Sequence, residues 1–206
     1  MSRPGSGFDG GVTTPVPHLT HPPTVLLVHE SMFGNTGRVA AAVAEGLTAA
    51  GLRVEVLRAA DTAGEATVDA DLLVLGAPTH AFSLPRPATR AEASRKGAAA
   101  PPTARGVREW LSSARPRAAG VPCAAFDTRV TRLRSLPRSA AGRALRLASS
   151  RGFTTLLRPE AFFVEDVAGP LVPGELDRAH AYGTRLGESL LAELHGEHWR
   201  HAATAR

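Results

Sequence analysis

Three short runs of this chain are apolar almost throughout: Thr24–Val28 (TVLLV), Asp71–Gly76 (DLLVLG) and Val121–Phe126 (VPCAAF). None is long enough for a buried helix of ordinary length, and none alternates polar with apolar residues. A short, continuous apolar run rich in branched side chains is how a strand reads when both of its faces are covered. The chain must therefore supply helices for two faces of a sheet.

The segments between the runs supply them. In Asn35–Ala50, Val39, Val43 and Leu47 recur four apart with Ala40 and Ala44 beside them, which predicts a helix with one buried stripe. Gly51 follows at the position just past a last helical turn. Leu52–Leu57 alternates and predicts a second strand before Asp71–Gly76, the third. A long connection, Ala77–Pro102, holds a short predicted helix over Ala88–Lys96. Thr103–Ser113 is predicted helical, with Val107, Trp110 and Leu111 on one side. After the fourth strand, Val121–Phe126, come a basic helix over Ser135–Ser150, a fifth strand split between Phe153–Leu157 and Ala161–Val164, and a last helix over Pro173–Leu194. Strand–helix alternation repeated about five times predicts an α/β chain: a doubly wound, five-stranded parallel sheet with helices on both faces. Right-handed crossovers then put ligand loops at the carboxyl ends of the strands. One domain over residues 24–194 is expected. The Pro-, Gly- and Thr-rich residues 1–23 and the polar residues 195–206 are expected as flexible tails.

Composition narrows the classes. The net charge is +5, almost all of it carried by arginine, since Lys96 is the single lysine. No nucleic-acid-binding motif accompanies this charge, and one Tyr and two Trp leave little for base stacking, so nucleic acid is not the expected partner. No apolar run approaches the ~20 residues of a membrane helix. The lone cysteine, Cys123, excludes an intramolecular disulfide, fits a cytoplasmic protein, and has the flanks of a small buried hydrophobe. His195, His198 and His201 recur every three residues, but beyond the last apolar stripe and beside Gly196. They read as part of a polar tail, and no metal site is expected.

The most informative loop is ESMFGNTGRVAAAV, Glu30–Val43, between the first strand and the first helix. A phosphate at such a turn needs backbone N–H groups aimed at one point, hydroxyls beside them and a helix N-terminus behind. Gly34 lets the backbone curl, Ser31 and Thr36 offer hydroxyls, and Asn35 and Thr36 are suited to opening a helix. Neither GxxxxGK[ST] nor GxGxxG is present, so the loop suits a phosphate that is held and not transferred. By itself it is compatible with any anion or none. A phosphoacceptor reading fails because no Asp closes the third strand, and a cysteine-phosphatase reading fails because Ser31 stands where Cys is needed.

In Leu27, Val28, Ser31, Gly34, Thr36, Ala40 and Val43 this stretch resembles the FMN-phosphate signature of the flavodoxin family, departing from it at His29, where Tyr or Phe is usual. The resemblance spans about Thr24 to Leu194. It implies a flavodoxin-like fold, FMN as cofactor, and cofactor contacts from Ser31, Met32, Phe33, Gly34, Asn35 and Thr36, with Ser31, Asn35 and Thr36 holding the phosphate. Two further loops hold the isoalloxazine ring in such proteins. Gly76-Ala77-Pro78-Thr79-His80 resembles the G-x-P-T-[YH] of the second, which implies ring contacts from Pro78, Thr79 and His80, with Phe82 or His80 against the ring. The alternative is a plain turn after a strand. The third loop corresponds to Asp127–Arg134 and lacks the usual Gly and Tyr. Asp127, Thr128 and Arg129 stand where ring contacts are expected, and Arg129 is either a cation near the pyrimidine end or a solvated side chain. The implied activity is electron transfer. The alternatives are an FMN-dependent NAD(P)H:quinone-type oxidoreductase and a flavin-free accessory module of the same fold. No catalytic residue is assigned. Flavodoxins are ordinarily acidic, so this basic chain is expected to meet an acidic redox partner.

Overall fold

The computed structural model describes residues 21–62, 64–98, 105–135 and 139–204, with side chains as far as residue 196. Residues 1–20, which hold most of the expected N-terminal tail, lie outside it.

Strand β1 (Thr24–His29) leads into α1 (Asn35–Ala49) and β2 (Arg53–Arg58). Then come a 3₁₀ turn, β3 (Ala66–Val68), β4 (Leu72–Pro78), α2 (Pro87–Arg95), α3 (Val107–Ser113) and β5 (Ala114–Pro116). The chain closes with β6 (Pro122–Val130), α4 (Ala140–Ser149), β7 (Thr154–Thr155), β8 (Glu160–Val164) and α5 (Glu175–Thr204). The main sheet is parallel in the order β2-β1-β4-β6-β7, and β8 pairs with β6 beyond β7. The split fifth strand expected from the sequence is the pair β7 and β8. β3 and β5 form a separate two-stranded sheet that hydrophobic periodicity did not signal.

The core is two layers, one on each face of the sheet. On one face, Val25, Leu27, Val74, Ala124 and Phe126 pack against Val39, Val43 and Leu47 of α1 and Ala179, Tyr182, Leu186 and Leu190 of α5. On the other, Val28, Leu73, Leu75, Cys123 and Ala125 pack against Val107, Trp110 and Leu111 of α3 and Ala140, Ala144 and Ala148 of α4. Burial drives the Cys123 thiol pKa up, so it is an inert hydrophobe. Gly76, beside Phe126 on the neighbouring strand, must be glycine because a Cβ there would overlap the Phe126 ring.

Several boundaries differ from the sequence expectation, among them the start of α3, at Val107 and not Thr103. The basic helix starts at Ala140, not Ser135, because Ser139 caps it: its hydroxyl accepts from the Gly142 N–H at 3.1 Å. The fourth strand runs four residues further than expected, to Val130. The backbone of α5 continues past Leu194 to Thr204, through the segment assigned to a tail, and one glycine, Gly196, whose helix penalty is only about 1 kcal/mol, does not stop it. The side chains of His198 and His201 lie outside the described residues.

Candidate functional site

At the carboxyl edge of the sheet a cavity of about 270 Å³ opens. Met32, Phe33, Asn35 and Thr36 line it from the loop after β1, Pro78, Thr79 and His80 from the end of β4, and Thr128 and Arg129 from the end of β6. These are nine of the thirteen residues that the resemblance singled out, brought together from three places in the chain. One wall lies outside those thirteen residues: α2 contributes Thr89, Glu92 and Ala93, followed by Lys96, and the segment after β8 contributes Val167.

The first loop is organised around the start of α1. Gly34 precedes the helix at φ 87°, in the left-handed region that glycine enters without strain. Ser31 Oγ accepts from the Gly37 N–H at 3.1 Å, and Arg38 N–H donates to the Gly34 carbonyl at 3.0 Å. The first N–H groups of a helix have no partner within it, which leaves those of Asn35 and Thr36 at the cavity. The Thr36 hydroxyl is buried 2.7 Å from that of Thr128, and Asn35 Nδ2 donates to the Ala168 carbonyl at 3.1 Å. Gly169 permits that approach, since a Cβ on it would come within 2.6 Å of the Asn35 amide nitrogen. The loop thus presents uncharged donors and a helix N-terminus, a combination that favours an anion held by dipoles.

The third expected contact region, Asp127–Arg134, is a loop only from Thr131 on. Asp127, Thr128 and Arg129 belong to β6 and pair with Ala77 and Pro78 of β4 on one side and with Ala161, Phe162 and Phe163 of β8 on the other. β-branched Thr128 and Val130 favour this extension. Asp127 is 0% exposed and does not line the cavity. Its carboxylate accepts from Arg129 Nε at 2.8 Å and Nη2 at 3.0 Å, and from the Ala141 N–H at 3.2 Å. Thr79 Oγ1 accepts from the Ala140 N–H at 2.9 Å. Thr79, Asp127 and Ser139 therefore cap α4 together, an acidic group sitting where the helix dipole favours it. Arg129 does line the cavity, as half of an ion pair and not as a solvated side chain.

The second loop departs in another way. His80 and Ser83 exchange both backbone hydrogen bonds at 3.0 Å around Ala81 (φ 47°) and Phe82 (φ 60°). Positive φ at both central residues is the geometry of a tight primed hairpin turn, which costs energy when neither residue is glycine. Arg108 anchors it from α3, donating to the Pro85 and Leu84 carbonyls at 3.1 and 2.8 Å and to Ser83 Oγ at 3.3 Å. Phe82 is 49% exposed and does not line the cavity, whereas His80 does. Burial lowers the His80 pKa, more than Glu92 restores it, so the imidazole there is neutral near pH 7.

Behind the first loop lies a charged cluster that sequence reading missed. Glu30 Oε1 meets Arg90 Nη1 at 3.3 Å and Glu30 Oε2 accepts from the Val107 N–H at 3.1 Å. Arg90 Nη2 also pairs with Glu109 at 3.0 Å. Burial pushes the Glu30 pKa up, against the pull of Arg90. Gly106 must be small, because a Cβ there would overlap the Glu30 carboxylate. This cluster ties the end of β1 to α2 and α3. Its only sequence trace is an acidic residue directly after a buried strand.

No family model matches the chain, and no curated protein matches it. Solved structures do. A flavodoxin from the domain Archaea aligns with a TM-score of 0.55 at 15% identity, over 81% of this chain and 98% of that one. A flavodoxin, WrbA-like protein from Agrobacterium tumefaciens aligns at 0.52 with 20% identity, over 82% and 98%. A flavodoxin of Streptococcus pneumonia TIGR4 aligns at 0.53 with 17% identity, over 82% and 99%. At these identities the likeness is one of fold.

Proposed function

We propose that this chain, which has the flavodoxin-like fold, holds FMN in the cavity at the carboxyl edge of its sheet and serves in electron transfer. The observation that carries the reading is the convergence of Asn35, Thr36, Pro78, Thr79, His80, Thr128 and Arg129 on one cavity from three separate segments. The residues suit the group. The N–H groups of Asn35 and Thr36 and the start of α1 hold a phosphate without a cation. Phe33, Pro78 and His80 offer flat or apolar surface to the ring, and Arg129 offers positive charge. When bound, FMN supplies one- and two-electron redox chemistry, and the protein sets its orientation and potential. Arg129 raises that potential by favouring negative charge nearby, and Asp127 moderates it. An acidic redox partner fits the net charge of +5 and the exposed Arg132 and Arg134 near the cavity. Electron transfer to such a partner slows as ionic strength rises. A cytoplasmic location belongs to the same reading.

The α2 wall favours one second reading, an FMN-dependent NAD(P)H:quinone-type oxidoreductase. Glu92, Lys96 and neutral His80 line the same cavity and give it room for a substrate and a group able to exchange a proton. A visible spectrum of the purified chain with and without FMN tests both. A colourless protein that leaves FMN fluorescence unquenched sinks both and leaves a flavin-free module of the same fold. Anaerobic addition of NADH or NADPH to the yellow protein then separates them: a carrier stays yellow without another protein, and a reductase bleaches.

A further inference from the structure

Beneath the first loop lies a second, small space of about 20 Å³, lined among others by His29, Met32, Arg58, Arg90 and Arg105. Two of these side chains are more than nine-tenths buried, His29 at 8% exposed and Arg90 at 5%. His29 Nδ1 and Arg90 Nε are also the buried side-chain atoms that lack a hydrogen-bond partner among the described residues. Buried polar atoms are rarely left unpaired, and two of them on side chains that line one small space point to an occupant. We propose that a single water molecule occupies this space, donating to His29 Nδ1 and accepting from Arg90 Nε–H.

Size and charge select water. The volume exceeds the ~10–15 Å³ that one water needs and leaves no room for a polyatomic ion. The charges around it are already matched. Arg90 pairs with Glu30 and Glu109, and Arg58 with Asp61. Arg105 donates to the Gly64 carbonyl and to Ser113. The Arg105 partners are neutral, but the three guanidinium groups are matched in number by the carboxylates of Glu30, Glu109 and Asp61, so an anion gains little net charge there, and a cation meets three guanidinium groups. His29 is neutral, since burial and then Arg58 lower its pKa, so its ring nitrogen keeps a lone pair to accept with.

The position gives the water a task. Met32 lines both this space and the larger cavity, so the water stands directly behind the floor of the proposed flavin site. It joins the end of β1, which carries the phosphate loop, to Arg90 of α2, whose neighbours Thr89 and Ala93 line the larger cavity. It also accounts for histidine at position 29. An aromatic hydrocarbon there would fill the space but leave Arg90 Nε without a partner.

The test uses the full chain. In a high-resolution crystal structure, one peak within hydrogen-bonding distance of both His29 Nδ1 and Arg90 Nε supports the proposal, and an empty cavity overturns it. A bromide-soaked crystal with an anomalous peak at that point overturns it in favour of a halide. In solution, oxygen-17 magnetic relaxation dispersion counts long-lived internal waters. His29→Phe, and Arg90→Lys, which keeps a cation for Glu30 but removes Nε–H, are each expected to lose one such water relative to the unaltered chain. An unchanged count in both folded variants overturns the assignment. If neither variant folds, the crystal of the unaltered chain decides.

Discussion

Thr36 Oγ1 and Thr128 Oγ1 lie 2.7 Å apart, both buried, and join the first turn of α1 to the end of β6 across 92 residues of sequence. This contact fixes the loop after β1 against the strand that carries Arg129. Thr128→Val keeps the β-branched shape and removes one partner, leaving the Thr36 hydroxyl buried and unpaired. The expected cost is about 1–3 kcal/mol of unfolding free energy, read from urea melts. FMN affinity is expected to fall with it, because the same loop loses its anchor.

Asp127 and Arg129 act on the proposed flavin with opposite signs. Removing the guanidinium in Arg129→Ala withdraws positive charge from the cavity and exposes it to the Asp127 carboxylate, so the reduction potential of the FMN-loaded protein is expected to fall. Asp127→Asn removes the negative charge while preserving shape, and the potential is expected to rise. Redox titration of both variants reads the pair. If neither moves the potential, this ion pair only caps α4 and closes the strand.

What the sequence made legible follows from what buries completely. Thr24–Val28, Asp71–Gly76 and Val121–Phe126 announced themselves as strands because both faces are covered, and the parallel sheet with helices on both faces followed from the helical segments between them. Leu52–Leu57, observed as β2, was legible for the opposite reason. It is an edge strand in which polar and apolar residues mix because much of it faces water, Val56 included. The site was legible at its first loop, where glycine, hydroxyls and a helix start coincide locally. It was obscure at Asp127, because the residue's role depends on Ala141 and Arg129, and no local pattern distinguishes a buried cap from a ligand contact. The Glu30–Arg90–Glu109 cluster was invisible for the same reason: its members come from three elements. The turn at Ala81–Phe82 contradicts turn chemistry outright, since neither residue favours positive φ, and Arg108 holds it from a different helix.

His29 and His80 make stability depend on pH in one direction. Burial lowers both pKa values below the reference of 6.5, for His29 with Arg58 adding to the effect. Their contribution is therefore complete above about pH 6.5 and lost as pH falls through the folded-state values, because the unfolded chain takes up protons first. Each group contributes a slope of at most about 1.4 kcal/mol per pH unit across that window. Urea midpoints measured near neutrality and about two pH units lower are expected to differ less in His29→Phe than in the unaltered chain. Equal differences in the two proteins would mean that His29 titrates normally.

Gly46 of α1 and Gly183 of α5 let the two helices meet backbone to backbone. A Cβ at Gly46 would overlap the His180 carbonyl oxygen, and one at Gly183 would overlap that of Val43. Neither obstacle is a flexible side-chain tip, so the helices must separate to admit a methyl group. Gly46→Ala is expected to lose about 1–3 kcal/mol of stability, although alanine is the better helix former. Gly196→Ala is the control. It lies in the same α5, has open space around it, and is expected to gain up to about 1 kcal/mol from propensity alone. Since α1 carries Asn35 and Thr36, the displacement in Gly46→Ala should also weaken FMN binding, while Gly196→Ala leaves it intact. Calorimetric melting temperatures and FMN titrations of the two variants separate a packing effect transmitted along α1 from a general effect of alanine in these helices. Equal behaviour of the two would show that the α1–α5 contact does not position the loop.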